Sequence, residues 1–219
     1  MRHLLLFLIV LLPLAVSAQV SHEQIQKILA SDGAADDNFG ISVSISGDYA
    51  IIGTPYDDDN GSNSGSAYIY HKDQGGTGNW GRVKKITASD GAADDIFGRS
   101  VSVSGNYAIV GASWDDDNGS ESGSAYIYHK DQGGTDNWGE VKKITASDGA
   151  AGDWFGNSVS FSGNYTIIGA AADIDNGIGS GSAYIYHKDQ GGTGNWGEVK
   201  KITASDGAAG DWFGNSVSF

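Results

Sequence analysis

Phe-Gly occurs at Phe39, Phe97, Phe155 and Phe213, each pair 58 residues from the last, and the residues around each copy recur with it. A chain assembled from near-copies of one short unit must bury its apolar surface between neighbouring copies, which restricts it to stacked or radial architectures. Residues 97–154 and 155–212 differ at only 10 of 58 positions, and five of the ten fall between Ser113 and Glu121. One loop has drifted while the frame around it was kept.

Within a unit the period is that of strands. Val101-Ser102-Val103-Ser104 alternates apolar and small polar residues, and Ser104-Gly105-Asn106 is a tight turn. Tyr107 to Gly111 is a continuous apolar run, expected of a strand buried on both faces. Ala125-Tyr126-Ile127-Tyr128 puts two tyrosines on one face and Ala and Ile on the other. A Gly-rich stretch then leads to Trp138–Ile144, whose imperfect alternation suits a half-exposed outer strand, guarded by lysines and containing a bulge. Four short strands per unit and no helical period predict an all-β, β-propeller-type array of four-stranded antiparallel blades. Shifting by one repeat places Lys27-Ile28 on Lys85-Ile86, so residues 22–30 are read as a lone outer strand. Complete repeats span 39–96, 97–154 and 155–212, and a fourth opens at 213–219. Propellers close with roughly 4 to 8 blades, so the array is expected to be incomplete, the N-terminal portion of a longer one.

The first residues place Arg2 and His3 before an apolar run from Leu4 to Val16 and small residues up to Ala18. This predicts a signal peptide, 1–18, cleaved after Ala18, and an exported mature chain that is secreted, periplasmic or on the cell surface. The run is shorter than the roughly 20 residues of a membrane span. Absence of cysteine excludes disulfides and thiolate metal sites. The net charge of −14 disfavours nucleic acid and favours cations or basic partners.

Phe39-Gly40 followed by Gly53-Thr54-Pro55 and Gly65-Ser66-Ala67-Tyr68 resembles the FG-GAP repeat of integrin α-chain propellers and of many secreted bacterial proteins. The later copies read Phe97-Gly98 with Gly111-Ala112-Ser113, and Phe155-Gly156 with Gly169-Ala170-Ala171. The resemblance implies a β-propeller used for extracellular binding and often for holding Ca2+. Integrin-type calcium repeats carry their acids between the first and second strands. Here that connection is only Ser46-Gly47-Asp48 or Ser104-Gly105-Asn106.

The acids lie elsewhere. Asp57-Asp58-Asp59-Asn60-Gly61 recurs as Asp115-Asp116-Asp117-Asn118-Gly119 and as Asp173-Ile174-Asp175-Asn176-Gly177. An Asp-x-Asp-Asn-Gly core can turn carboxylates inward, as oxygen-ligand calcium loops require. Asp57, Asp59, Asn60, Asp115, Asp117, Asn118, Asp173, Asp175 and Asn176 are therefore the candidate Ca2+ ligands, with simple turn formation as the competing reading. A second acidic segment, Asp32, Asp36 and Asp37, recurs as Asp90, Asp94 and Asp95 and should lie at the same end of each blade, because successive turns of a meander alternate between ends.

Tyr56 and Trp114 lie in the drifting loop and are the candidate ligand-contacting residues for a protein or glycan. His71, His129 and His187 lack companion ligands for zinc and are read as surface residues. Trp80, Trp138 and Trp196 are read as packing between blades. Gly-x-Ser-x-Gly elbows, phosphate loops and paired glutamates are absent, and near-identical repeats spread residues symmetrically, so the expected role is a non-enzymatic binding or adhesion module. The alternatives are a structural spacer, or the propeller domain of a larger exported protein or polysaccharide-degrading enzyme.

Overall fold

A computed structural model of the chain describes residues 24–219; the predicted signal peptide lies outside them. Twelve strands follow one another: β1 (Val43–Ser46), β2 (Tyr49–Thr54), β3 (Ser66–His71), β4 (Gly81–Ile86), β5 (Ser100–Ser104), β6 (Tyr107–Ala112), β7 (Ser124–His129), β8 (Gly139–Ile144), β9 (Phe155–Ser162), β10 (Tyr165–Ala170), β11 (Ser182–His187) and β12 (Gly197–Ile202). They form three four-stranded antiparallel meanders, β1–β4, β5–β8 and β9–β12, each in sequence order. The expected four-strand blade is thus the observed unit.

The alternation of β7 explains how blades stack. Tyr126 and Tyr128 join a core with Ile51 and Ile69 of the first blade, while Ala125 and Ile127 join a second core with Phe155 and Tyr184 of the third. Both faces of the middle blade are therefore interior, and each fully buried tyrosine or isoleucine contributes about 1.5–3 kcal/mol of transfer free energy. Inner strands pack on one another through the small polar residues of their alternation. Ser42 and Ser44 Oγ accept the Val101 and Val103 N–H groups at 3.1 Å, and Ser102 Oγ accepts that of Phe161 at 3.0 Å. Serine at these positions thus ties one blade to the next and pairs backbone donors that their own sheet leaves unpaired.

The Phe-Gly dipeptide belongs to the same junction. Phe97 and Phe155 are fully buried and meet Tyr126 and Tyr184 edge-on at 5.4 and 5.3 Å. Phe97, Phe155 and Phe213 donate their N–H groups to Ser64, Ser122 and Ser180 of the preceding blade at 3.0–3.1 Å. The following glycines have φ of +94°, +86° and +83° at Gly98, Gly156 and Gly214, where a Cβ is disfavoured.

The outer strands carry the expected bulge, between the pairs Ile127–Lys142 and Tyr128–Glu140, which leaves Val141 without a partner. Corresponding shifts occur in the other two blades.

Residues 24–30 correct one expectation, for they form no strand. Strand pairing needs a strand alongside at the edge; among the described residues this segment has none and packs instead on the face of the first blade, with Ile28 and Ala30 against Ile52, Tyr68 and Tyr70. It keeps the place of an outer strand nonetheless: Leu29 C=O accepts the Tyr70 hydroxyl, as Thr87 C=O accepts that of Tyr128. Gln26 also exchanges two hydrogen bonds with the Trp80 backbone. At the other end, residues 213–219 lie on the third blade, with Phe219 N–H bonded to Ser160 Oγ at 3.1 Å, without forming a ladder.

Candidate functional site

The acidic loops and the acids of the blade linkers meet at one end of each blade, as the meander requires, and a lysine joins them. In the second blade Lys143 Nζ lies 2.8 Å from Asp90, 3.0 Å from Asp115 and 2.7 Å from Asp117. Lys201 repeats this with Asp148, Asp173 and Asp175 at 2.8, 2.8 and 2.6 Å. Lys85 does so with Asp32, Asp57 and Asp59 at 3.4, 2.8 and 2.6 Å. Beneath each ammonium lies a tyrosine ring, Tyr68, Tyr126 or Tyr184, with its centroid 5.1–5.3 Å away. The tyrosine hydroxyl completes the cluster, reaching Asp90 at 2.9 Å and Asp115 at 2.8 Å in the second blade.

Asp57, Asp115 and Asp173 are the buried members; Asp59, Asp117 and Asp175 face solvent on their outer side. Asp115 is also the most fully bonded, accepting Ser124 Oγ at 2.8 Å and the Asp117 N–H at 3.2 Å. Burial works against the charged forms of Lys143 and Asp90. The hydrogen bonds between them and to their neighbours outweigh it, holding the lysine above and the aspartate below its ordinary range. Burial pushes the Tyr68 hydroxyl up to about 12, and those of Tyr126 and Tyr184 well above their ordinary value.

Calcium takes six to eight oxygens at about 2.3–2.6 Å. In each loop the carboxylates that would supply them instead surround an ammonium, and the residues as arranged do not fit the ion that the resemblance implies. Asn60, Asn118 and Asn176 do not join the clusters: their N–H groups bond to Ser64, Ser122 and Ser180 Oγ at 3.1 Å, shaping the turn. The middle acids act on the turn too, with Asp58 and Asp116 accepting the N–H of Asn63 and Glu121 at 2.8 Å. Ile174, which replaces them in the third copy, is exposed. Asp95 and Asp153, from the second acidic segment, are buried and accept the Ala92 and Ala150 N–H groups. Burial raises Asp95 to about 6 and shifts Asp153 upward as well. Among the described residues no group of three or more His, Cys, Asp or Glu side chains is placed to hold a metal ion.

Tyr56 and Trp114 do come together. They line one hollow of about 400 Å3 with Arg99, Trp154, Asn157 and Asn215, drawn from all three blades and the final segment. Trp154 is fixed there by its indole N–H, which donates to Glu121 at 2.9 Å, and by Trp212 with centroids 5.4 Å apart. Its φ of +58° is strained for so large a side chain. Sequence reasoning did not single out Arg99 or Trp154. The available signal was variation at the positions flanking Phe-Gly: Asn38, Ile96, Trp154 and Trp212 before it, and Ile41, Arg99, Asn157 and Asn215 after it.

The histidines of the repeat lie at the opposite ends of the strands. His71, His129 and His187 pack against Tyr49, Tyr107 and Tyr165 with ring planes tilted by 55–60° and centroids 4.5–4.7 Å apart, and accept the N–H of Asp73, Asp131 and Asp189 at Nδ1. Trp138 and Trp196 are buried between blades, meeting Tyr49 and Tyr107 of the preceding blade edge-on at 5.2 and 5.4 Å.

Residues 22–70, 80–128, 138–186 and 196–219 each match the model of the FG-GAP repeat, and together they make up most of the chain. The protein therefore belongs to the FG-GAP repeat family. No curated protein matches it. Among solved structures it is similar to Saccharomyces cerevisiae Sqt1, at 11% identity and TM-score 0.48, over 80% of this chain and 38% of that one. It is also similar to a europium-containing methanol dehydrogenase, at 8% identity and TM-score 0.46, over 73% of this chain and 24% of that one. A third likeness is to the computationally designed protein Ika8, at 10% identity and TM-score 0.44, over 78% and 38% of the two chains. The chain thus spans well under half the length of each.

Proposed function

We propose that the protein is an exported, non-enzymatic binding module whose contact surface is the loop end of the blades, centred on the hollow lined by Tyr56, Arg99, Trp114 and Trp154. One observation carries this reading: Tyr56, Arg99, Trp114 and Trp154, each at a position that varies between repeats, line a single concavity. Drift spread over solvent would not gather two tryptophans, a tyrosine, a guanidinium and two amides around about 400 Å3. Aromatic faces with amide and guanidinium donors suit the apolar faces and hydroxyls of a sugar ring, which favours a glycan over a protein surface as ligand. Export rests on the Met1–Ala18 leader pattern.

A glycan array followed by titration of the bound sugars against wild type, Trp114→Ala and Arg99→Ala tests the reading. Wild type should bind, and each variant should lose at least about tenfold in affinity, since loss of one stacking or charged contact costs on the order of 1–3 kcal/mol. A wild type that binds no glycan and no cell surface would favour the spacer reading.

A further inference from the structure

We infer that Lys85, Lys143 and Lys201 are the resident cations of the acidic loops, so that the carboxylate cages of this chain are lysine sites closed to divalent ions. An ammonium has three donors. Each of these finds one carboxylate in the second blade, Asp90, Asp115 and Asp117, all within 3.0 Å, with the Tyr126 ring beneath. The donor set is therefore complete without water or metal.

The cluster joins three separate stretches of chain: Asp90 from the linker entering the blade, Asp115 and Asp117 from the β6–β7 loop, and the lysine itself on β8. One side chain thus does what a bound ion does in a calcium loop, tying remote segments by charge. The arrangement recurs in all three blades with the same residue types, so it is a property of the repeat. The second and third clusters keep two negative charges in excess, carried on the half-exposed carboxylates where solvent screens them, and in the first Arg82 on Asp32 reduces the excess to one. A divalent ion could enter only by expelling the lysine into solvent from all three of its bonds.

The test is calcium titration of wild type and of Lys143→Met by calorimetry, with melting in EDTA and in 5 mM CaCl2. Wild type should give no saturable heat, and its Tm should differ by less than about 1 °C between the two conditions. Lys143→Met should melt roughly 5–10 °C lower in EDTA, because it leaves three adjacent carboxylates uncompensated, and should regain much of that loss in CaCl2. Saturable calcium binding by wild type would overturn the inference, as would a Lys143→Met protein that melts with wild type in EDTA. Should Lys143→Met not fold, the wild-type titration decides the matter alone.

Discussion

Replacing Gly111 by alanine isolates the contact that sets the spacing of the blades. Gly111 is the penultimate residue of β6, paired with Ser100 on one side and Ala125 on the other. Its φ lies outside the left-handed region, so alanine meets no conformational penalty there and the cost is purely steric. A Cβ at this position would lie 2.9 Å from the carbonyl carbon of Gly156 in the next blade, closer still to its oxygen, and against Ser100 Oγ. Ordinary carbon contacts are about 3.5–4.0 Å, so the two blades must part by at least ~0.6 Å at this point. Overpacking of this kind costs typically 1–3 kcal/mol, and backbone on the facing side, which has no rotamer to change, argues for the upper end. At about 2–4 °C per kcal/mol for a chain of this size, Tm should fall by roughly 6–12 °C.

Gly105→Ala supplies the control. Gly105 has φ +57° with nothing within 4 Å of its Cβ position, so that variant bears only the left-handed penalty of about 1 kcal/mol. Thermal and urea melts of both variants make the comparison. If Gly111→Ala is no less stable than Gly105→Ala, the close approach of blades at Phe-Gly is not what the glycine serves.

Ser102→Ala should cost about 1–2 kcal/mol in urea denaturation, because it strips the buried Phe161 N–H of its acceptor, whereas exposed Ser162→Ala should be near neutral. Trp138→Ala should cost about 3–5 kcal/mol by the same assay, since it empties the space between Tyr49 and the second blade. Asp95 binds its proton more tightly folded than unfolded, with a folded value of about 6 caused first by burial. Stability should therefore decline as pH rises from about 4 to 6, and Asp95→Asn should flatten that decline in melts across the range. Asp32, Asp90 and Asp148 work in the opposite sense: their folded values lie below 3.8. The stability they lend is present above that pH and is lost on further acidification as the lysine clusters are discharged.

The blades were legible because strand alternation is local. The period of two in Ala125–Tyr128 predicts the two faces that the stacked blades bury, and meander geometry alone brings Asp90 and Asp115 to one end. The lysine clusters were not legible, for a reason tied to one residue. Strict alternation along β8 would set Lys142 opposite Tyr126 and Lys143 opposite Ala125. The bulge at Val141 shifts the register by one, so Lys143 faces Tyr126 and reaches the acids. A bulge is visible in sequence only as imperfect alternation, which does not say which lysine it redirects. Residues 24–30 failed differently: the sequence carries the outer-strand pattern, but pairing depends on a partner strand, which lies outside any local signal. The hollow was half legible. Loop drift marked Tyr56 and Trp114, whereas Arg99 and Trp154 are brought beside them only by the stacking of blades.

One measurement addresses both the lysine-held clusters and the binding role proposed for the hollow. Affinity for the best glycan from the array should be determined for wild type and Trp114→Ala, each in EDTA and in 5 mM CaCl2. The prediction is equal wild-type affinity in the two buffers and a loss of at least about tenfold for Trp114→Ala in both. Wild-type binding that disappears in EDTA, with Trp114→Ala binding as tightly as wild type in CaCl2, would contradict it and return the function to calcium in the acidic loops.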